Sequence, residues 1–178
     1  MEKLGIAHSN PYFNVLTARV EMLNGEIIDP YYITEYLNES VAVIPVRNGS
    51  EVLLIRAWRP VTGELWWEVP AGIAEGPEAP ADAARRELLE ETGWEATGIH
   101  DLGWFHPSNA SSTERTHLFV APNPRQVGDV VDQREIAEAR WMSGREAHEL
   151  IRTHQITDAS TLIGLLRAFQ LKYLRDDA

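Results

Sequence analysis

The chain contains no cysteine, which excludes disulfide bonding, a thiolate nucleophile and any cysteine-ligated zinc centre. Any metal must therefore rest on oxygen or imidazole ligands. Long apolar runs are missing too. No stretch approaches the roughly 18 consecutive apolar residues of a membrane-spanning helix, and the first thirty residues lack the basic start and apolar centre of an export signal. The expectation is a cytoplasmic protein with no membrane partner. Positive charge is scarce: 16 basic side chains face 27 acidic ones, a formal net charge of −11 over 178 residues. A field of that sign repels a phosphate backbone, and no nucleic acid is expected as partner. The six histidines are scattered, with no His-Glu-x-x-His pattern to support zinc hydrolysis.

What is present fits one compact domain, since 44% apolar and 24% charged residues are ordinary for a chain that buries a core. Val15 to Leu23 and Glu26 to Ile28 flank Asn24-Gly25, and Ser40 to Val46 and Glu51 to Trp58 flank Asn48-Gly49. Both patterns predict β-hairpins. From Pro80 to Thr92 the pattern becomes helical, with proline in the first turn, alanine and leucine inside, and Gly93 as the stop. Strands are predicted at Thr97 to Phe105, Arg115 to Ala121 and Ile136 to Met142, then helices at Ser143 to Thr153 and Asp158 to Leu174. This mixture predicts an α+β fold or an α/β sandwich. Residues 1–38 read as a small β segment ahead of a main domain over residues 39–178. Pro122 to Arg134 is longer than a compact domain usually tolerates and is a candidate lid.

The predicted helix carries the chemistry. Glu87, Glu90 and Glu91 stand three and four residues apart, so their carboxylates share one face. Like charges so crowded raise one another's pKa and weaken the helix unless a hard divalent cation, with magnesium the natural candidate, is held among them. The plain alternative is a solvated face in which Asp82 pairs with Arg86 and Arg86 with Glu90.

The residues upstream decide between the two. Trp66-Trp67-Glu68-Val69-Pro70-Ala71-Gly72 leads through five residues to Glu78, seven more to Arg86-Glu87, then to Glu90-Glu91, Gly93 and Trp94. This spacing resembles the Nudix box, with Trp94 bulkier than the usual aliphatic residue. The resemblance implies the family's α/β/α sandwich with a mixed sheet. It also implies a Mg²⁺ site, in which Mn²⁺ can substitute, built from the Ala71 carbonyl, Glu87, Glu90 and Glu91, with Glu78 structural. On physical grounds Gly72 permits an unusual turn and Gly93 a left-handed helix end, while Arg86 braces carboxylates.

Beyond the box the chain is most similar to the ADP-ribose pyrophosphatase group of nucleoside diphosphate sugar hydrolases. Ile55 to Pro60 followed by the Glu68-Val69-Pro70-Ala71-Gly72 run implies that Arg59 and Glu68 face substrate. Phe105 to Ala121 resembles a substrate loop and implies Ser108 and Glu114 as contacts, although Ser108-Asn109-Ala110 replaces the usual Ser-Pro-Gly and changes the turn available. Glu135 to Glu138 and Ile156 to Thr161 resemble the group's acidic lid and the start of its final helix. A catalytic base belongs on a mobile acidic loop, which leaves Glu135, Glu138 and Asp132 as candidates in that order. Tyr12, Phe13, Trp58, Trp66 and Trp67 are candidate stacking surfaces and equally candidate core residues. The resemblance implies a homodimer through the N-terminal strands, and Tyr12 to Tyr36 carries the aromatic edge that such an interface covers. The expected activity is Mg²⁺-dependent hydrolysis of the diphosphate of ADP-ribose or a related nucleoside diphosphate sugar. Another substrate, such as GDP-mannose or a dinucleotide, and a non-hydrolysing nucleotide-sugar sensor are the competing readings.

Overall fold

The computed structural model describes residues 1–129 and 134–176. Three antiparallel strands come first, β1 (Glu2–Ser9), β2 (Phe13–Glu21) and β3 (Ile27–Tyr36), and form their own sheet in that order. Strand β1 has no counterpart in the sequence reading. All eight of its residues are exposed, so no burial pattern marks it, and it is held by backbone pairing with β2 and by an ion pair from Lys3 to Glu35 on β3.

The main sheet runs β12 (Ile136–Ser143), β5 (Glu51–Arg59), β4 (Ser40–Arg47), β10 (Thr116–Pro122), β9 (His100–Phe105). Among the described strands of this sheet, only β4 and β10 are parallel. Both faces of its centre are covered, which is why β4 reads Val-Ala-Val-Ile-Pro-Val with six consecutive buried residues. On one face α1 (Pro80–Thr92) packs Ala83, Ala84 and Leu88 against Val41, Val43 and Phe119. On the other, α2 (Gly144–Arg152) and α3 (Ala159–Gln170) cover Ala42, Ile44, Leu54, Leu118 and Val120. Gly164 lets α3 sit close, since a Cβ there would stand 2.8 Å from Ile44 Cδ1. The result is an α/β/α sandwich, as the family resemblance implies.

One irregularity makes room for a site. Strands β4 and β5 are bonded only at Val46–Val52 and Arg47–Glu51. Beyond that pair they part, and β6 (Glu64–Glu68) joins β5 while β7 (Ala71–Ile73) joins β4. The Glu68 to Ala71 connection therefore crosses a split in the sheet, beside α1.

The ends of α1 obey the local signals. Gly93 adopts φ 73°, and its N–H donates to the Leu89 carbonyl, a left-handed cap. Its carbonyl in turn accepts from the N–H groups of Val127 and Gly128, and β11 (Arg125–Gln126) pairs with β8 (Trp94–Glu95). The first half of the candidate lid is thus anchored to the end of α1. Asp132 lies outside the described residues.

Candidate active site

Side-chain alternation sets which residues can meet. On β5, Leu53, Ile55, Ala57 and Arg59 lie on the side of the sheet that α1 covers, whereas Val52, Leu54 and Arg56 lie on the side covered by α2 and α3. Glu68 stands opposite Ile55 on β6 and so shares the α1 face with Arg59. Arg59 Nε donates to Glu68 Oε1 at 3.0 Å, and Nη2 donates to Oε2 at 2.6 Å, a bidentate pair. Nη1 reaches Glu135 Oε2 at 3.2 Å. Glu68 is 5% exposed, and both its oxygens are taken by Arg59. It is therefore the group that orients the guanidinium.

From the helix side come Glu87 and Glu91. The Ala71 N–H donates to Glu91 Oε2 at 2.9 Å, and burial first, then the neighbouring Glu87, push the Glu91 carboxyl up to about 8. Arg59 and the Ala71 hydrogen bond offset this only in part. Burial also raises the Glu87 carboxyl, against the opposing pull of Arg86. Glu87 lies directly over Gly72, where a Cβ would stand 2.1 Å from Glu87 Oε1. The sequence reading assigns Gly72 to an unusual turn; the structure corrects this. Gly72 is extended strand backbone, opposite Val41 in β7, and it is small because a carboxylate fills the place of its side chain.

Arg86 braces the cluster as expected. It bonds Glu78 at 3.0 Å and Glu87 at 2.7 Å, reaches Glu90 at 3.3 Å, and donates to the Ile73 carbonyl at 3.0 Å. Glu78 is structural, and it also accepts from the Glu75 N–H. The predicted Asp82–Arg86 pair does not form: Asp82 bonds Arg85 at 2.9 Å, because Arg86 is drawn inward by Glu78. Glu90 is the outermost of the three helix carboxylates, with its side chain 48% exposed.

The structure brings together Arg59, Glu68, Ala71, Glu87, Glu91 and Glu135, and separates Glu138 from them. Glu138 pairs with Arg56 and so faces the α3 side, while Ala139 beside it packs on Ile55. A β-bulge between Ile136 and Glu138 shifts the register, which sequence spacing cannot reveal. Ser108 and Glu114 also lie apart. Ser108 bonds Ser111, Glu114 accepts from Ser40, and their loop is stitched to β3 through Ser111 and Thr113 on Thr34. Of the candidate stacking aromatics, Trp67 is core and is flanked by Arg56 and Arg140. Trp66 lines a cleft of about 300 Å³ with Arg59, Thr62, Glu68, Ala71, Thr157, Asp158 and Ser160. That α3 contributes a wall of this cleft was missed. The sequence signals there were the resemblance of Ile156 to Thr161 to the start of the group's final helix and Asp158 as its cap, whose side chain accepts from the Thr161 N–H.

Among the described residues, no three acidic or imidazole groups stand in a ligating arrangement: Glu68 is turned to Arg59, Glu87 to Arg86 and Glu91 to the Ala71 N–H. The donor set nevertheless fits a hard divalent cation. It consists of carboxylate oxygens on one helix face, two of them with pKa values raised by burial, beside a strand backbone. No described helix is long and apolar enough to cross a membrane.

The fold and this box define a Nudix hydrolase. The NUDIX domain model matches residues 37–162, and the chain belongs to that family. Among curated relatives, the CMP-5'-(N-acetyl-N-hydroxy-3-aminopropyl)phosphonate hydrolase of Streptomyces rubellomurinus is 29% identical, covering 93% of this chain and 80% of the relative. The ADP-ribose pyrophosphatase of Bacillus subtilis is 25% identical over 89% of this chain and 90% of its own. The GDP-mannose pyrophosphatase of Shigella flexneri serotype 5b is 33% identical over 94% of this chain and 93% of its own. A solved structure described as an ADP compounds hydrolase superposes with a TM-score of 0.82 at 18% identity, covering 96% of this chain and 94% of the other, and supports the fold.

Proposed function

We propose that this enzyme hydrolyses the diphosphate linkage of ADP-ribose or a related nucleoside diphosphate sugar, with Mg²⁺, to a nucleoside monophosphate and a sugar phosphate. The observation that carries the reading is the Arg59–Glu68–Glu91–Glu135 constellation at the split between β6 and β7. Glu87 and Glu91, with Glu90 and the Ala71 carbonyl, are the groups that would hold the cation. When bound, Mg²⁺ supplies positive charge to the diphosphate and polarises a phosphoryl oxygen.

The chain's own residues do the rest. Arg59 offers a fixed guanidinium whose Nη1 arm exchanges Glu135 for a phosphate oxygen. Glu135, released, accepts a proton from the attacking water. The cleft beside Trp66 takes one end of the substrate, and the Ser108 to Glu114 loop is the remaining candidate for contact. GDP-mannose is the second reading, favoured by the 33% identity to a GDP-mannose pyrophosphatase over nearly the full chain.

The test is phosphate-coupled hydrolysis of ADP-ribose, GDP-mannose, UDP-glucose, NADH and diadenosine polyphosphates, each with Mg²⁺, with Mn²⁺ and with chelator, and with Glu91→Gln as the control. Metal-dependent turnover of ADP-ribose, lowered at least about 100-fold by Glu91→Gln, is the expected result. Turnover confined to another member moves the substrate. Tight binding without turnover makes the protein a sensor.

A homodimer through residues 1–38 belongs to the same proposal. It is supported by the exposed edge strand β1, with Leu4 50% and Ile6 62% exposed, and by Tyr32 on β3 at 58%. Sedimentation equilibrium returning the mass of one chain at micromolar concentration would remove it.

A further inference from the structure

The β6–β7 connection holds the candidate site together from both ends. Glu68 orients Arg59, and the Ala71 N–H holds Glu91. Its middle lies in neither strand. Pro70 has no N–H to give, and its carbonyl accepts from Val43 at 2.9 Å. That leaves the Val69 N–H, fully buried in the gap between strand ends. It donates to Oγ1 of Thr161, on α3, at 3.1 Å.

Thr161 is 0% exposed. Its hydroxyl lies 2.9 Å from Asp158 Oδ2, which also accepts the Thr161 N–H at 2.7 Å. The direction of the chain of bonds is forced. A backbone amide can only donate, so Thr161 Oγ1 accepts from Val69 and its single hydrogen goes to the Asp158 carboxylate. The helix cap does not need this oxygen, because the Thr161 N–H alone completes it. A valine would fill the same space. What the hydroxyl adds is one bond to the segment that carries the site. The start of α3 also faces that site, since Thr157, Asp158 and Ser160 share a cleft with Arg59, Glu68 and Ala71.

We propose that Thr161, oriented by Asp158, is a positioning residue for the hydrolysis. It fixes the Glu68 to Ala71 segment from the opposite face of the sheet and through it the placement of Arg59 and Glu91. The inference rests on the hydrolase reading above. A displacement of about 1 Å in such a constellation costs on the order of 100-fold in rate.

The experiment measures kcat, KM and melting temperature for wild type, Thr161→Val, Thr161→Ser and Asp158→Asn on the best substrate of the panel. Thr161→Val is expected to fold and to lose at least about tenfold in kcat. Thr161→Ser, which keeps the oxygen, is expected within about threefold of wild type, and Asp158→Asn, which keeps a capping acceptor but not its charge, in between. If Thr161→Val fails to fold, the Thr161→Ser and Asp158→Asn pair carries the same comparison. A folded Thr161→Val with wild-type kcat overturns the proposal, as does Thr161→Ser impaired as deeply as Thr161→Val, which would make the role one of packing. A wild-type protein silent on every substrate would instead remove the hydrolase reading, and the proposal with it.

Discussion

Gly72 and Gly93 look alike in the sequence and serve different needs. At Gly93 the backbone is left-handed, and a Cβ would also strike the Gly128 carbonyl at 2.4 Å. A helix stop after thirteen periodic residues makes that role legible. Gly72 is legible only as part of a motif, because its reason is the Glu87 carboxylate resting on it. Gly72→Ala separates stability from activity. The Glu87 carboxylate is the far end of a flexible chain and swings away at a cost under about 1 kcal/mol, but it leaves the cluster in doing so. Turnover is expected to fall about tenfold or more with a small change in melting temperature. A large drop in melting temperature with normal turnover per folded molecule would contradict this account.

Among the elements, α1 was readable to the residue, since its proline, apolar face and terminal glycine are local signals. Strand β12 was readable as a strand but not in register. Its β-bulge turns Glu138 to the far face with Arg56, while Glu135, just ahead of the strand, reaches Arg59. The alternative bases are thereby separated by geometry. Glu135→Gln is expected to lower kcat about 100-fold while the Mg²⁺ concentration for half-activation changes little, and Glu138→Gln to leave both within about twofold. The opposite ranking, measured by metal titration of initial rates, would move the base to Glu138 or, if neither variant matters, to Asp132. The short strands β6, β7, β8 and β11 escaped the sequence reading because two to five residues carry no period of their own.

For the whole molecule, the buried carboxylates set a pH dependence. Glu91 titrates near 8 in the folded chain, and Glu87 is also raised, against 4.5 as the ordinary value. Between those values the native state binds more protons than the unfolded state, so metal-free protein loses stability as pH rises from 4.5 through about 8. The lowered carboxylates, Glu78 by Arg86 and Glu51 by Arg47, act in a different window: their stabilisation is present above 4.5 and fades as pH falls below it. Calorimetry of the metal-free protein from pH 5 to 8.5 is expected to show a falling melting temperature. Millimolar Mg²⁺ is expected to flatten that fall by binding the charged form, and Glu91→Gln to reduce it. A metal-free melting temperature that is flat across the range, in wild type and variant alike, would refute the assignment of Glu91 as a buried, cation-seeking acid.

By itself the sequence determined what is local or strictly spaced. It marked the helix and its ends, the hairpins at Asn24-Gly25 and Asn48-Gly49, the acidic face of Glu87, Glu90 and Glu91, and the membership of the chain in its family. These follow from periodicity, capping and a motif, all written within a few residues of one another. Only the tertiary structure decided that Glu68 is committed to Arg59, that Glu135 rather than Glu138 stands at the cluster, that the loop carrying Ser108 and Glu114 is tied to β3 through Ser111 and Thr113, and that Thr161 reaches Val69 across 92 positions. Each of these depends on strand register, on the split between β4 and β5, or on a contact between distant segments. Such contacts form only when the sheet closes, and no local pattern encodes them.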